Sequence, residues 1–531
     1  MQTSPDLQNP NQHNFKINQR VHSTGDYRRI GTVKYIGEVK NYSGIWIGVE
    51  WDNSDGKHDG SVNGVRYFTA QFPNSASFVR PHNLSSGVSL LQALNIRYRT
   101  SSTKEELDEM YVLSASKKRV NVQLVGTDKI EDILGRFEEL PGASLSYLGV
   151  SCSGEPVEIR KTLPNLKELD LTGNLLSDWK DVDAICSGLP ALTALNLTNN
   201  RMSKDVAGIS HLRNLRLLVL NNVSINWSQV EVLKESLQAI EELHLMGNKI
   251  REITPTSSKF VQGFSSLQVL NLEENYIADW SEIEKLSQLK CLEQLHLNKN
   301  NIERIWYPTT DELPYKPFQN LRCLLIGGNK IEDLASIDAL NSYPALVDIR
   351  CSENPATDPN KGGVGRFALI ARLAKVKILN GSEITPRERK ESEIRYVRQV
   401  MSKPHHNLEE IKRLHPRFTE LKAFHGIEDE RPSNGPAGPQ KMSSGLISVT
   451  LKCVGPSICE KAPITKKLPA TTTVGKLKTL CLSFFKLKFF KPILYLQEQG
   501  SPLHTLLDDD MASLNDAGVC NQSTILVDED N

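Results

Sequence analysis

Gly56-Lys57-His58-Asp59-Gly60 is the segment of this chain best equipped to hold a charged ligand. Glycines at both ends open backbone angles closed to other residues and let another main chain come close. Between them stand a lysine cation, an imidazole and a carboxylate. Trp46, Phe68 and Phe78 lie on either side and could line an apolar slot beside the lysine. A cation beside an apolar slot, at a loop another main chain can approach closely, reads as a binding site for a ligand. Small barrels fill their interiors with such rings, so Phe78 reads mainly as packing and Trp46 equally as core or groove wall.

The remaining reactive residue types point away from catalysis. The chain contains no Gly-x4-Gly-Lys-Ser/Thr loop, no His-Glu-x-x-His and no Gly-x-Ser-x-Gly, so no enzyme and no bound cofactor is expected. His244 and His296 come without a third ligand in register, which argues against a metal site. Nine cysteines without paired spacing, some inside repeat strands (Cys323, Cys351), read as free thiols in a reducing compartment. The 63 basic and 63 acidic residues cancel, so no net field favours nucleic acid or an anionic membrane. No stretch approaches the ~18 apolar residues of a membrane helix. A cytoplasmic protein is expected.

The elements that must position these residues are unevenly legible. At 531 residues the chain is expected to form several domains. Residues 1–16 form a polar tail. Residues 17–84 hold short β-type runs, Gly31–Tyr35, Trp46–Glu50, Val65–Phe68 and Ser77–Arg80, which make a small all-β barrel. Residues 85–142 are expected to form the amino-terminal cap of a solenoid, with a capping box at Thr103–Glu106 ahead of Leu107 and an alternating strand at Val120–Leu124.

From Leu166 the chain repeats leucine, two residues, leucine, one residue, leucine, two residues, asparagine. The asparagines are Asn174, Asn200, Asn248, Asn275, Asn300, Asn329 and Asn354, with Val223 standing in once. A period in the twenties with this pattern marks a leucine-rich repeat, each coil giving one strand and one return segment. Leu145, Leu148 and Val150 sketch a first, degenerate coil. The asparagines are expected to satisfy backbone groups at the bend. The outward residues Asp170, Asn196, Val219, His244, Asn271, His296, Leu325 and Arg350 should line one partner-binding strand face. Glu168, Glu242, Met246, Glu273 and Gln294 flank them, a mixture suited to a protein surface. Trp179, Trp227, Trp280 and Trp306 are expected to form a ridge along one edge, with partner anchoring as the other reading.

The repeats and their carboxyl cap are placed at 143–384. The charged helical segment 385–427 opens at Thr385-Pro386 and should dock through Ile394, Val397 and Met401. Residues 428–445 have the composition of a flexible linker. In 446–531, alternating and helical spacings give strands, a helix and further strands. The Phe484–Phe490 run there mixes aromatics with lysines, which reads as core rings with solvated cations.

Three resemblances sharpen this reading. Ile30–Gly37, Gly44–Glu50, Gly56–Gly60, Gly64–Phe68 and Phe78–Arg80 resemble a CAP-Gly domain in order and spacing. That resemblance implies a groove of Trp46, Gly56, Lys57, His58, Asp59, Gly60, Phe68, Phe78 and Arg80 for the acidic-aromatic tail of α-tubulin, with Lys57 and loop amides facing carboxylates. The family's loop carries asparagine where His58 stands and glycine where Ala76 stands, so altered affinity is expected. Residues 446–531 resemble an α+β ubiquitin-like (β-grasp) domain; ending in Val527–Asn531 without Gly-Gly, it is expected to dock and not to be conjugated. The order of a CAP-Gly barrel, an α/β leucine-rich-repeat solenoid and a ubiquitin-like domain resembles the tubulin-folding cofactor family. It implies a chaperone for α-tubulin and the αβ dimer, acting with cofactors of the B, C and D types, with the proteasome as a further partner of the last domain. The other reading is a cytoskeletal plus-end or scaffold protein on the microtubule, although the usual coiled coil or basic Ser/Pro-rich arm is missing.

Overall fold

The computed structural model describes residues 15–99, 111–113, 119–121, 136–256, 258–308, 316–402, 408–427, 446–454, 461–486, 491–497, 504–507, 510, 513–514, 517–519 and 522–529. The chain divides into two compact units, Met1–Glu428 and Asp429–Asn531.

The first unit opens with a five-stranded antiparallel sheet. Its strands run in the order Ala76–Val79, Tyr42–Trp51, Asp26–Val39, Arg20–Ser23 and Leu84–Ser85. Alternation along Tyr42–Trp51 sends Ile47, Val49 and Trp51 into a core with Val21, Val33 and Leu84. The opposite parity, Trp46, Gly48 and Glu50, is left on the other face. The Val65–Phe68 run pairs only over Val65–Arg66, against Ser61–Val62.

Between this sheet and the repeats lies the helix Leu90–Tyr98, started by a capping box of Ser89 and Gln92. Its Leu90, Ala93 and Leu94 enter the solenoid core. The expected box at Thr103–Glu106 lies outside the described residues; the strand Arg119–Asn121 pairs with Tyr111–Leu113.

Eleven strands form the solenoid sheet, from Gly142–Ser144 to Ser382–Glu383. Each parallel coil contributes three residues. The central leucines, such as Leu169, Leu195, Leu218 and Leu243, are buried and stack in register. Every bend asparagine is buried. Asn275 shows the use: its Nδ2 donates to the carbonyls of Leu245 (3.0 Å) and Leu272 (3.0 Å), and its Oδ1 accepts from Ile250 N (2.9 Å). One side chain thus pairs main-chain groups of two successive coils. The residue before each bend is left-handed, at Gly173, Asn199, Asn222, Gly247, Glu274, Lys299, Gly328 and Glu353. Glu274, Lys299 and Glu353 hold that conformation without the usual glycine or asparagine.

Trp179, Trp227 and Trp280 are core residues, each at the first position of a short return helix capped by Asp178, Asn226 or Asp279. At 1–2% exposure they cannot anchor a partner, which corrects that reading of the ridge. Trp306 is the exception at 38%.

The carboxyl cap comprises the helix Arg366–Arg372 and the pair Ile378–Leu379 with Ser382–Glu383. The helix Pro386–Ser402 packs on it, with Thr385 Oγ1 accepting from Glu388 N (3.1 Å). Its buried stripe centres on Tyr396, Val397 and Val400. Ile394 is only half-buried, a correction to the expected stripe. Two further helices, Leu408–Leu414 and Phe418–Phe424, close this cluster through Phe418 and Leu421.

The second unit is a β-grasp sheet. Its order is Ile464–Pro469, Leu446–Cys453, Ser523–Glu529, Pro492–Gln497 and His504–Leu506, with the second and third strands parallel. The helix Val474–Phe484, capped by Thr473, packs Val474, Leu477 and Cys481 against Val449, Leu451 and Ile525. Phe485 is core and Phe484 partly so, with Lys466 Nζ 5.1 Å from the Phe484 ring.

Among the described residues, no helix is long and apolar enough to cross a membrane. None of these residues forms a group of three or more His, Cys, Asp or Glu able to hold a metal. Of the described cysteines, Cys186, Cys351, Cys453 and Cys481 are buried, Cys323 half-buried, and Cys152 and Cys291 exposed; burial pushes the Cys186 and Cys351 thiols up to about 12.

Candidate functional site

The Gly56–Gly60 loop is held by its own backbone. Lys57 N and His58 N donate to the Ala76 carbonyl (2.7 and 2.9 Å), and Ala76 N donates to His58 O (2.9 Å). Gly56 N donates to Asn74 O (2.7 Å). These three loop amides are therefore spent and not presented to a ligand, so the expectation that loop amides face carboxylates does not hold for Gly56, Lys57 and His58. A Cβ at Gly56 would stand 2.3 Å from Ala76 N, and one at Gly60, with φ +95°, would stand 2.2 Å from Phe68 O. Both glycines are required by close approach of the 68–76 backbone.

Asp59 is an anchor of the loop. Its carboxylate accepts from Ser61 Oγ and Ser61 N, and from Arg66 Nη2 at 2.7 Å. The Ser61 hydroxyl first, and then Arg66, hold this carboxyl well below the usual range. Lys57 is exposed, and among the described residues no carboxylate pairs with its ammonium. It is the loop's available cation.

Beside the loop, Phe78 is half-buried and lies outside the sheet's core, contrary to the packing role expected for it. Its ring meets Tyr67 (5.4 Å), Phe68 (5.7 Å), Tyr35 (6.1 Å) and His58 (6.2 Å). Tyr35 and Tyr67 were not expected here. The odd parity of Tyr35 against the core position Val33, across a bulge, hid the first. At the far end, Arg80 stacks on Trp46 at 3.8 Å and donates to Ile45 O (3.3 Å). Trp46 Nε1 is shielded from water and finds no acceptor among the described residues. Trp51 supplies the buried indole of the core. The face is aromatic and edged by two cations, Lys57 and Arg80.

The second surface is the strand face of the solenoid. Asp170, Asn196, Val219, His244, Asn271, His296, Leu325 and Arg350 form one continuous ladder, each opposite the next. Several are committed to turn geometry. Asp170 Oδ1 accepts from Thr172 N (3.0 Å) and its Oδ2 from Ser146 Oγ (2.6 Å); Asn196 Oδ1 accepts from Thr198 N (3.0 Å), and Asn271 Oδ1 from Glu273 N (2.8 Å). Asn271 and Leu325 are nearly buried, and Arg350 is the exposed member. His244 Nε2 lies 3.5 Å from Glu242 Oε2. Burial first, then His244 and Arg350, push His296 down to about 4.

Residues 17–84 match the family model of the CAP-Gly domain. Over 521 residues the chain is 61% identical to tubulin-folding cofactor E of Arabidopsis thaliana, covering 97% of this chain and 98% of that one. It is 31% identical to tubulin-specific chaperone E of Xenopus laevis, covering 88% and 92%. A solved ubiquitin-like domain of mouse tubulin-specific chaperone E aligns over 18% of this chain and 96% of that chain, at 25% identity and TM-score 0.16.

Proposed function

The chain belongs to the tubulin-specific chaperone E family, and on that premise we propose that it binds α-tubulin and promotes assembly and dissociation of the αβ heterodimer. Cofactors of the B, C and D types are its proposed co-workers, the proteasome a proposed partner of the second unit, and the cytoplasm its proposed site of action. The relatives carry the names of chaperones and cofactors, and the reading assigns no catalytic step to this chain.

The observation that carries the proposal is the pairing of the Tyr35–Tyr67–Phe68–Phe78 ring cluster with the available Lys57 cation. A carboxyl-terminal aromatic has a place among the rings, and its carboxylates have a counter-charge. The strand ladder supplies a second, broader surface for the folded body. Two weak sites joined in one unit raise the effective concentration at each other.

The test mixes the full chain with soluble αβ-tubulin and follows it by gel filtration and by pelleting with microtubules. Co-elution with soluble tubulin supports the chaperone. Exclusive pelleting with polymer would instead favour the plus-end reading, and no interaction in either would overturn both.

A further inference from the structure

The ring cluster does not end where the CAP-Gly sheet ends. Along Tyr42–Trp51 the outward positions are Trp46, Gly48 and Glu50. A Cβ at Gly48 would point at Phe68 Cε1, 2.5 Å away, and Gly48 is paired with Phe78. Two residues on, Glu50 shares that face and is paired with Thr32 and with Ala76. Glu50 Oε2 lies 3.5 Å from Lys34 Nζ, and its Oε1 accepts from Gln71 N. Beyond the strand, Asp52 takes Arg20 bidentately and meets Arg201 Nη1 at 3.4 Å.

Arg201 does not belong to this sheet. It follows the bend Asn200 of the solenoid, where Ser203 N donates to Ser177 O (2.7 Å) and Ser203 O accepts from Trp179 Nε1 (3.1 Å). Together Lys34, Glu50 and Gln71 on one side and Ser177, Arg201 and Ser203 on the other enclose an open cleft of about 350 Å3. Arg20, Lys34 and Arg201 outnumber Glu50 and Asp52 there. The Lys34 and Arg201 contacts are long for ion pairs, so both can turn to an incoming carboxylate. Arg20 is nearly buried and its Nε has no partner among the described residues.

We infer that the aromatic groove and this cleft are one composite site. In it, the CAP-Gly sheet takes the aromatic end of an acidic peptide tail while Lys34 and Arg201 take carboxylates further from that end. The partner is an acidic peptide long enough to pass from the rings to the solenoid. A CAP-Gly sheet alone has only one wall of the cleft. The inference rests on the tail-binding role proposed above.

Two peptides in fluorescence anisotropy with the full chain separate the two ideas. One is a three-residue Glu-Glu-Tyr probe; the other extends it upstream by nine residues rich in glutamate. Lys57→Ala is expected to weaken both. Lys34→Ala and Arg201→Ala are each expected to weaken only the long peptide, by about three- to tenfold at low salt, and to flatten its salt dependence. Lys34→Ala leaves the head-to-solenoid ion pair untouched, so its effect is not one of loosened packing. An unchanged ratio of long to short affinity in both variants overturns the composite site while leaving tail binding intact. Failure of the unaltered chain to bind either peptide overturns both.

Discussion

Arg372 Nη1 lies 2.6 Å from Asp338 Oδ2 with both side chains largely removed from water, tying the carboxyl cap to the return helix of the preceding coil. The same guanidinium donates to Leu414 O through Nη2, so one residue gathers three elements. Arg372→Ala is expected to cost about 3–5 kcal/mol, the penalty for stranding a buried charge, in urea unfolding of the full chain. A change below about 1 kcal/mol would mean that water replaces the guanidinium.

Burial outweighs Arg372 at Asp338 and pushes its carboxyl up. The folded protein therefore keeps this proton at pH values where the unfolded chain has lost it. The contribution of Asp338 to stability falls as pH rises from the ordinary carboxylate value through the raised one. Asp338→Asn removes the titration, and its unfolding free energy is expected to change less with pH across that window than that of the unaltered chain.

His296 behaves in the opposite sense. Its folded value of about 4 lies below the ordinary 6.5, so the folded state resists protonation. The stability it contributes is complete above pH 6.5 and is lost as pH falls towards 4. NMR titration is expected to find the His296 ring neutral at pH 5.5, and His296→Gln to lessen the acid sensitivity of unfolding in that window.

Asn275→Ala removes four main-chain hydrogen bonds from two coils, to Leu245 O, Leu272 O, Glu273 O and Ile250 N. With the freed groups buried, the expected cost is about 2–4 kcal/mol. Hydrogen exchange should show faster opening at Ile250, whose amide loses its acceptor, than at distant coils. Uniform exchange across the solenoid would indicate that coils open together.

Lys57→Ala is expected to weaken binding of a Glu-Glu-Tyr peptide about tenfold, as loss of a charge-assisted contact does. Asp59→Ala should do so indirectly, by freeing Ser61 and Arg66 from the loop. An affinity unchanged by Lys57→Ala removes the tail-binding reading of the groove.

The strand register of the solenoid could be read from the sequence because leucines two apart fix which residues point inward, and the ladder from Asp170 to Arg350 follows. The structural role of Asn275 was legible for the same reason. Phe78 was not, since a single ring in the four-residue strand Ala76–Val79 looks like core, and only the bulge in Asp26–Val39 brings Tyr35 beside it. Nor was the loss of the Lys57 and His58 amides, which pair with a residue 18 or more positions away in an isolated bridge. The cleft was invisible because Lys34 and Arg201 come from different folds. The Ser89-Gln92 box has its signature in the sequence, but Val88 and Leu90 around it also suit a strand, so the pattern at Thr103–Glu106 stands out more clearly.

Only Ser86 and Gly87 separate the last strand of the CAP-Gly sheet, Leu84–Ser85, from Val88–Ser89, which pairs in parallel with Val150–Cys152 of the solenoid. Val88 N donates to Gly149 O at 2.9 Å, and Gly87, with φ +91°, has no room for a side chain. The head is therefore not a hook on a leash. A peptide held in its groove, as proposed, would meet the solenoid at a set distance and bearing, and the search that a loose tether would permit would be given up for that fixed delivery.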